Sequence, residues 1–256
     1  MVTNINIGMV TALIFYIFCY HILWATFSLL VHRQHMHKYW TLHPILEQFC
    51  RFMLWVTYGF YFQNWVTLMV AQHRKHHAIS DQWINDRQYD PVSPHIFTMR
   101  QLLDFSKIGP GTQYYCDPND VLTWAKDATD YNDWIEHNIY LKYPRLGLLL
   151  PWAIATLLFG LPGFIIGGLY KLLIIYIISL HAMSLHIFGY RTQKPKLSSD
   201  RSVNTFPISI LSSGEGLHGN HHDDGRAPNF STHWWEFDLG YWYAVILSKL
   251  KLLTFN

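Results

Sequence analysis

Charge is scarce in this sequence. Asp, Glu, Lys and Arg supply 14% of its 256 residues, against about 25% in an ordinary soluble domain, which argues against a wholly water-facing surface. The formal net charge of +2, with no run of lysines and arginines, excludes a basic nucleic-acid-binding stripe. Cysteine is almost absent. Cys19, Cys50 and Cys116 are too few and too widely spaced for a disulfide framework or a zinc knuckle. Neither H-E-x-x-H nor C-x-x-C occurs, which argues against a zinc protease and a zinc deaminase. In their place stand apolar residues, at 50%, and 16 histidines.

Long apolar runs organise the chain. Residues 8–31 carry no Asp, Glu, Lys or Arg and exceed the ~20 residues that cross a bilayer. Without a basic n-region or an A-x-A-like cleavage site, the run reads as a retained membrane helix and not a signal peptide. A second stretch, 146–186, holds one charge, Lys171, and a Pro/Gly-rich centre. It predicts two spans, 147–165 and 168–186, around a tight turn. Residues 45–71 are apolar but contain Glu47, Arg51, Gln63 and Asn64. Histidine clusters flank this segment, and at ~27 residues it is too short to cross twice. An interfacial or re-entrant segment is expected there. Of 19 basic residues, 18 fall in 32–146 and 187–256, which the positive-inside rule makes cytoplasmic. The expected fold class is therefore an all-α integral membrane protein of one domain. It has about three transmembrane helices, an exoplasmic N-terminus and a cytoplasmic helical cap, 72–146 and 187–256. Residues 234–253, aromatic and aliphatic with two lysines, predict a surface-lying helix or an ordinary packed one.

The histidines are patterned. His32 and His37 form H-x4-H with His35 between them. His73, His76 and His77 form H-x-x-H-H, repeated by His218, His221 and His222, and His186 ends the last apolar run. On a helix, i, i+3 and i+4 share a face, so each H-x-x-H-H aims three imidazoles to one side. H-x4-H differs: its ends stand about 140° apart on an ideal helix, which requires a fraying helix end or two different metals. Imidazole suits Zn, Cu, Fe and Ni alike. Nine such histidines exceed the needs of one ion, so two metals are indicated. Carboxylates are expected to hold the ligand rings, with Asp81, Glu215, Asp223, Asp224 and Asp238 as candidates. His21 predicts a polar contact inside the bundle. His43, His95, His137 and His233 lie off the pattern and read as structural.

At these boxes the chain resembles the membrane-bound fatty acyl desaturases, the family of the stearoyl-CoA and delta-9 enzymes. The three boxes stand in the family's order, with a further histidine on the last apolar run. FQN, HRKHH, YDPVSP, HIFGYR, GEGLHGNHH and WWEFD extend the likeness from about His32 to Asp238. The resemblance implies a nonhaem diiron centre held by His32, His37, His73, His76, His77, His186, His218, His221 and His222. It implies O2-dependent formation of a cis double bond, of delta-9 type, in a long-chain acyl-CoA or acyl-lipid. No H-P-G-G haem signature is present, so electrons are expected from a separate donor of ferredoxin, rubredoxin or cytochrome b5 type. Gln63 and Asn64 are expected beside the acyl tunnel. Arg33, Lys38, Arg74 and Lys75 are ordinary interfacial charges, or meet a substrate phosphate or an acidic donor. Many members carry asparagine four residues before the last-run histidine; here stands Ala182, with His181 beside it as a water-mediated or substitute ligand. One span precedes the first box, as in short bacterial members. A related diiron lipid hydroxylase is the nearest alternative. A membrane haem carrier would need facing histidine pairs within spans, and a metal transporter polar residues through several of them.

Overall fold

A computed structural model of the chain describes residues 2–59, 61–85, 88–92 and 118–256; Ser93 and Pro94 of YDPVSP, His95 and Cys116 lie outside them. Helix dominates. α1 (Val2–Thr26) continues without a break into ten residues of π-helix, Phe27–Met36. Ile7–Met36 is thus one helix of 30 residues, long and apolar enough to cross a membrane. α2 (Pro44–Thr57) opens with proline in its first turn, where the missing N–H costs no intrahelical bond. His43 caps it, its ring accepting from Ile45 N at 3.3 Å. Then come α3 (Trp65–Ile79), α4 (Pro118–Trp124), α5 (Leu149–Phe159), α6 (Leu161–Ser184), α7 (His218–Asp223) and α8 (Leu239–Lys249).

Residues 45–71 hold two short helices, α2 and the start of α3, joined by a turn. The expected pair 147–165 and 168–186 is redrawn. Gly160, at φ +62°, ends α5, and Pro162 falls in the first turn of α6, so the turn lies at the very start of the Pro/Gly-rich centre, 160–168. α5 keeps 11 residues and α6 takes 24. At 1.5 Å per residue, α5 covers only about 16 Å, roughly half a bilayer core. The two helices approach closely because Gly163 has no side chain; a Cβ there would lie 2.0 Å from Ala155 O.

Two short antiparallel ladders, unforeseen in the sequence, complete the fold. β1 (Trp40–Leu42) pairs with β4 (Leu253–Phe255), and β2 (Trp83–Asn85) with β3 (Gln88–Tyr89). Three residues are too few to show an alternating pattern. β1 is anchored by Trp40, 1% exposed, whose indole donates to Leu29 O at 2.9 Å.

Two cores stack end to end. Tyr16, Leu23, Ala155, Tyr170 and Ile174 join α1, α5 and α6. Leu30, Trp40, Val66, Val70 and Leu217 form the other, which carries the histidine boxes. Gly8 meets Pro162, so the start of α1 and the α5–α6 turn share the end remote from the boxes. Arg33, fully buried, donates to Asp238 Oδ1 at 2.8 Å, and Arg51 to Asp133 at 2.5 Å and Glu136 at 2.7 Å. Asp238 also caps α8 by accepting from Tyr241 N at 3.0 Å.

Candidate metal centre

The first box sits on the π-helical segment, and this removes the 140° problem. A π-turn bonds residue i+5 back to i; here His37 N donates to His32 O at 3.1 Å. The wider turn stacks the two residues, so both rings reach one point. Neither a frayed end nor two metals is required for them.

All nine histidines converge, in two groups. His32, His37, His73, His77 and His221 form the first; His76, His186, His218 and His222 form the second; within each, the coordinating atoms lie within 4.8 Å of one another. Each H-x-x-H-H is divided. The i, i+4 pair of α3 enters the first group and His76 the second; the i, i+4 pair of α7 enters the second and His221 the first. Three positions spread over about 100° of helix face two neighbouring points, not one side as the spacing alone suggested.

Cations fit both points, by the chemistry of the donors. His73 Nε2 lies 3.1 Å from His32 Nε2, 2.7 Å from His37 Nε2 and 2.9 Å from His77 Nε2. His221 Nε2 lies 3.1 Å from His32 Nε2 and 3.0 Å from His77 Nε2. One ring nitrogen carries at most one proton, so these contacts cannot all be hydrogen bonds. Carboxylates fix the tautomers: Glu215 accepts from His32 Nδ1, Asp90 from His76 Nδ1 at 2.8 Å and Asp81 from His186 Nδ1 at 2.9 Å. With the proton on Nδ1, each Nε2 presents a lone pair inward. Nitrogens ~2.1 Å from one ion lie ~3.0 Å apart at right angles and ~3.4 Å apart in a tetrahedron. Five nitrogens at 2.7–3.1 Å therefore suit five- or six-coordination, not tetrahedral zinc. In the second group, His76 Nε2 and His222 Nε2 are buried without a partner among the described residues, and His186 Nε2 stands 3.1 Å from His218 Nε2.

Electrostatics favours neutral rings. Burial, then the neighbouring imidazoles, hold His37, His73, His77, His218, His221 and His222 well below the usual histidine range. A neutral ring is what metal ligation requires. For His76 burial acts downward, but Asp90, Asp81 and Asp200 outweigh it and keep its pKa above the ordinary value. Burial likewise pushes Glu215 up, and His32 and Arg33 bring it below the ordinary carboxylate.

Of the five carboxylates expected to hold rings, Asp81 and Glu215 do. Asp223 pairs with Arg191 at 2.5 Å, Asp224 accepts from Arg226 N at 3.2 Å, and Asp238 pairs with Arg33. The other two ring-side carboxylates are Asp90 and Asp200, the latter 3.4 Å from His222 Nδ1. Asp90 stands in the YDPVSP phrase, which was signal enough to find it; Asp200 has none.

The remaining candidates lie apart from the cage. Gln63 and Asn64 are exposed at the start of α3, about 14 Å of helix before His73. Arg74 is bound to Asp127 at 2.5 Å and to Met36 O and Trp124 O, each at 3.0 Å. Lys75, 4% exposed, donates to Asp120 at 2.8 Å, and Lys38 pairs with Asp127. His181 joins neither group; its ring packs on Trp24 at 4.8 Å, with Nε2 buried and unpartnered among the described residues. His35 bonds Tyr131 Oη at 2.9 Å. His21 links α1 to α8, contacting Leu211 O at 3.0 Å and Tyr243 Oη at 2.8 Å. His137 meets Asn132 at 2.7 Å, and His233 stacks on Trp235.

Fold and site together define a helical protein built around a two-part cluster of nine histidines whose ring nitrogens could hold metal ions. No protein-family model matches the chain. Among curated proteins it is 30% identical, over 72% of its length, to an sn-1 stearoyl-lipid 9-desaturase of Anabaena variabilis. It is 29% identical, over 75%, to a hex-5-enoyl-[acyl-carrier protein] acetylenase of Moorena producens. An acyl-CoA C20 Delta5-desaturase of Anemone leveillei is 27% identical over 89% of the chain. The aligned regions span 62%, 61% and 67% of those relatives. The chain is thus similar to lipid and acyl-CoA desaturases, and it spans about three fifths of the length of the first two relatives.

Proposed function

We propose that this chain is an O2-dependent fatty acyl desaturase of delta-9 type, embedded in a membrane with its cage on the cytoplasmic side. The observation that carries the reading is the convergence of nine imidazoles into groups of five and four, in a relative of acyl-lipid and acyl-CoA desaturases. The nine histidines would hold two irons, which supply the activation of O2 when bound. The reaction balances as one –CH2–CH2– unit, O2, two electrons and two protons giving one cis –CH=CH– unit and two waters.

The chain's own residues have two tasks. Glu215, Asp90, Asp81 and Asp200 keep the ring protons on the Nδ1 side and set ring orientation. Burial of His32, His76, His186 and His221, each no more than 3% exposed, excludes bulk water from the reacting region. Acyl-lipid and acyl-CoA are both retained as substrates, because both occur among the relatives. A haem carrier fits poorly. A macrocycle between two axial histidines cannot be accommodated where ring nitrogens meet at 2.7–3.1 Å.

Expression in a desaturase-deficient host, followed by mass-spectrometric mapping of its lipids, tests the reading. Loss of two hydrogens at carbons 9 and 10 is expected. Gain of one oxygen would favour the diiron hydroxylase, and unchanged lipids with a metal-loaded protein would sink both.

A further inference from the structure

The segment between His186 and α7 has two faces. From Arg191 to Arg201 it carries Arg191, Lys194, Lys196 and Arg201 against one carboxylate, Asp200. That carboxylate points inward. It is 7% exposed, accepts from Ser80 and Ser202, and lies 3.4 Å from His222 Nδ1. Lys194, Lys196 and Arg201 are exposed, so the outer face is positive. The backbone is bonded to the cage as well. Arg201 N donates to Asp81 Oδ2 at 2.8 Å, the oxygen that accepts from His186 Nδ1 at 2.9 Å. One surface loop therefore stands a single carboxylate away from two ligands of the second group. By contrast, Arg33 and Lys75 are turned to buried or part-buried carboxylates, Arg191 itself pairs with Asp200 and Asp223, and Arg74 is paired with the exposed Asp127.

We infer that the 191–201 loop is the docking face for an acidic one-electron carrier protein, with Asp200 and Asp81 forming the bonded route to His222 and His186. The inference rests on the proposed desaturase reading, in which each turnover takes two electrons from outside the substrate. Two reduced carriers would each give up one electron, and the two electrons would pass to the metals that the nine histidines would hold. Opposite charge steers such encounters, and added salt weakens them.

An acidic [2Fe–2S] ferredoxin is the probe, its affinity for the purified chain in detergent read at about 50 mM and about 300 mM salt. Binding at low salt that fades at high salt is expected. The double variant Lys194→Glu/Lys196→Glu should bind at least ~10-fold more weakly at low salt, while turnover driven by a chemical reductant runs equally fast in both proteins. Unchanged ferredoxin affinity in the variant overturns the assignment. So does a variant that keeps ferredoxin but loses phosphatidylglycerol vesicles, since the lysines would then serve lipid headgroups. Loss of the chemically driven reaction in the variant alone would also overturn it, because the lysines would be supporting the cage. Failure of that reaction in the unmodified chain would sink the desaturase reading and leave the binding result standing.

Discussion

Asp90 shows how much of the cage depends on groups that never face the metal. Its Oδ2 accepts from His76 Nδ1 at 2.8 Å and from Asp81 N at 2.7 Å, so one carboxylate orients a ligand and the turn that carries Asp81. Replacing it by asparagine keeps the shape but removes the charge that raises the basicity of His76. Asp90→Asn is expected to weaken the second group's hold on its metal ~10–100-fold and leave the first group loaded, read by chelator competition and metal stoichiometry. Asp223→Asn is the control, because Asp223 is paired with Arg191 and touches no ligand ring; both metals should survive it. Equal metal loss in the two variants would remove Asp90 from its role. The nine histidines are legible from the likeness of the boxes to a known family; helical spacing alone aims each H-x-x-H-H to a single side, whereas the structure divides each between two groups. Asp200 is not legible, since nothing local in SSDRS says that a distant helix will bring His222 beside it.

At the scale of elements, the π-helical Phe27–Met36 segment is the feature on which the first group depends. An α-helical path would turn His37 away from His32, and the i+5 bond between them holds the register. An alanine inserted after Gln34 should break that register and swing His37 off the centre. The expected result is a fall from two metals per chain to about one, with helical circular dichroism unchanged; two retained metals would show that the π-turn is incidental. Spacing alone posed this problem without solving it, because a π-turn has no strong compositional mark and is stabilised by the packing around it. The same holds for α5. Its hydrophobicity matched a full span, and the glycine that ends it after 11 residues was hidden in a broadly Pro/Gly-rich stretch.

Among the described residues, the histidine cluster stands at the C-terminal ends of the two longest helices, with His32 and His37 at the end of the first and His186 just past α6. α6, 24 residues long, bends by 52° between Ile174 and Tyr176, so its first arm, Leu161–Ile174, covers about 21 Å and the rest of the way across a ~30 Å hydrocarbon core falls to the second arm. Tyr170 Oη donates to Thr57 O at 3.0 Å, which sets the end of α2 against the middle of α6. α5 starts nearby, since Leu148 packs against Gly59, and a half-length helix from there reaches the turn at Gly160. In the proposed membrane placement α2 dips to mid-depth, the chain returns through α3, and α5 completes the lower half. In that placement Leu157, Leu158 and Leu172, 65–86% exposed, would face lipid, Leu161 would stand at the exoplasmic turn, and Trp234, Trp242 and Leu250 would line the headgroup level. Single cysteines in a cysteine-free background test this with a membrane-impermeant maleimide. Leu161→Cys should react only from the exoplasmic side and Lys126→Cys only from the cytoplasmic side. Gln63→Cys, in the turn between α2 and α3, decides the re-entrant path. It should never react from the exoplasmic side, because the segment returns to the face it left; labelling from that side would mean that 45–71 crosses, carrying the first and second histidine boxes to opposite faces of the membrane and separating the ligands of the first group.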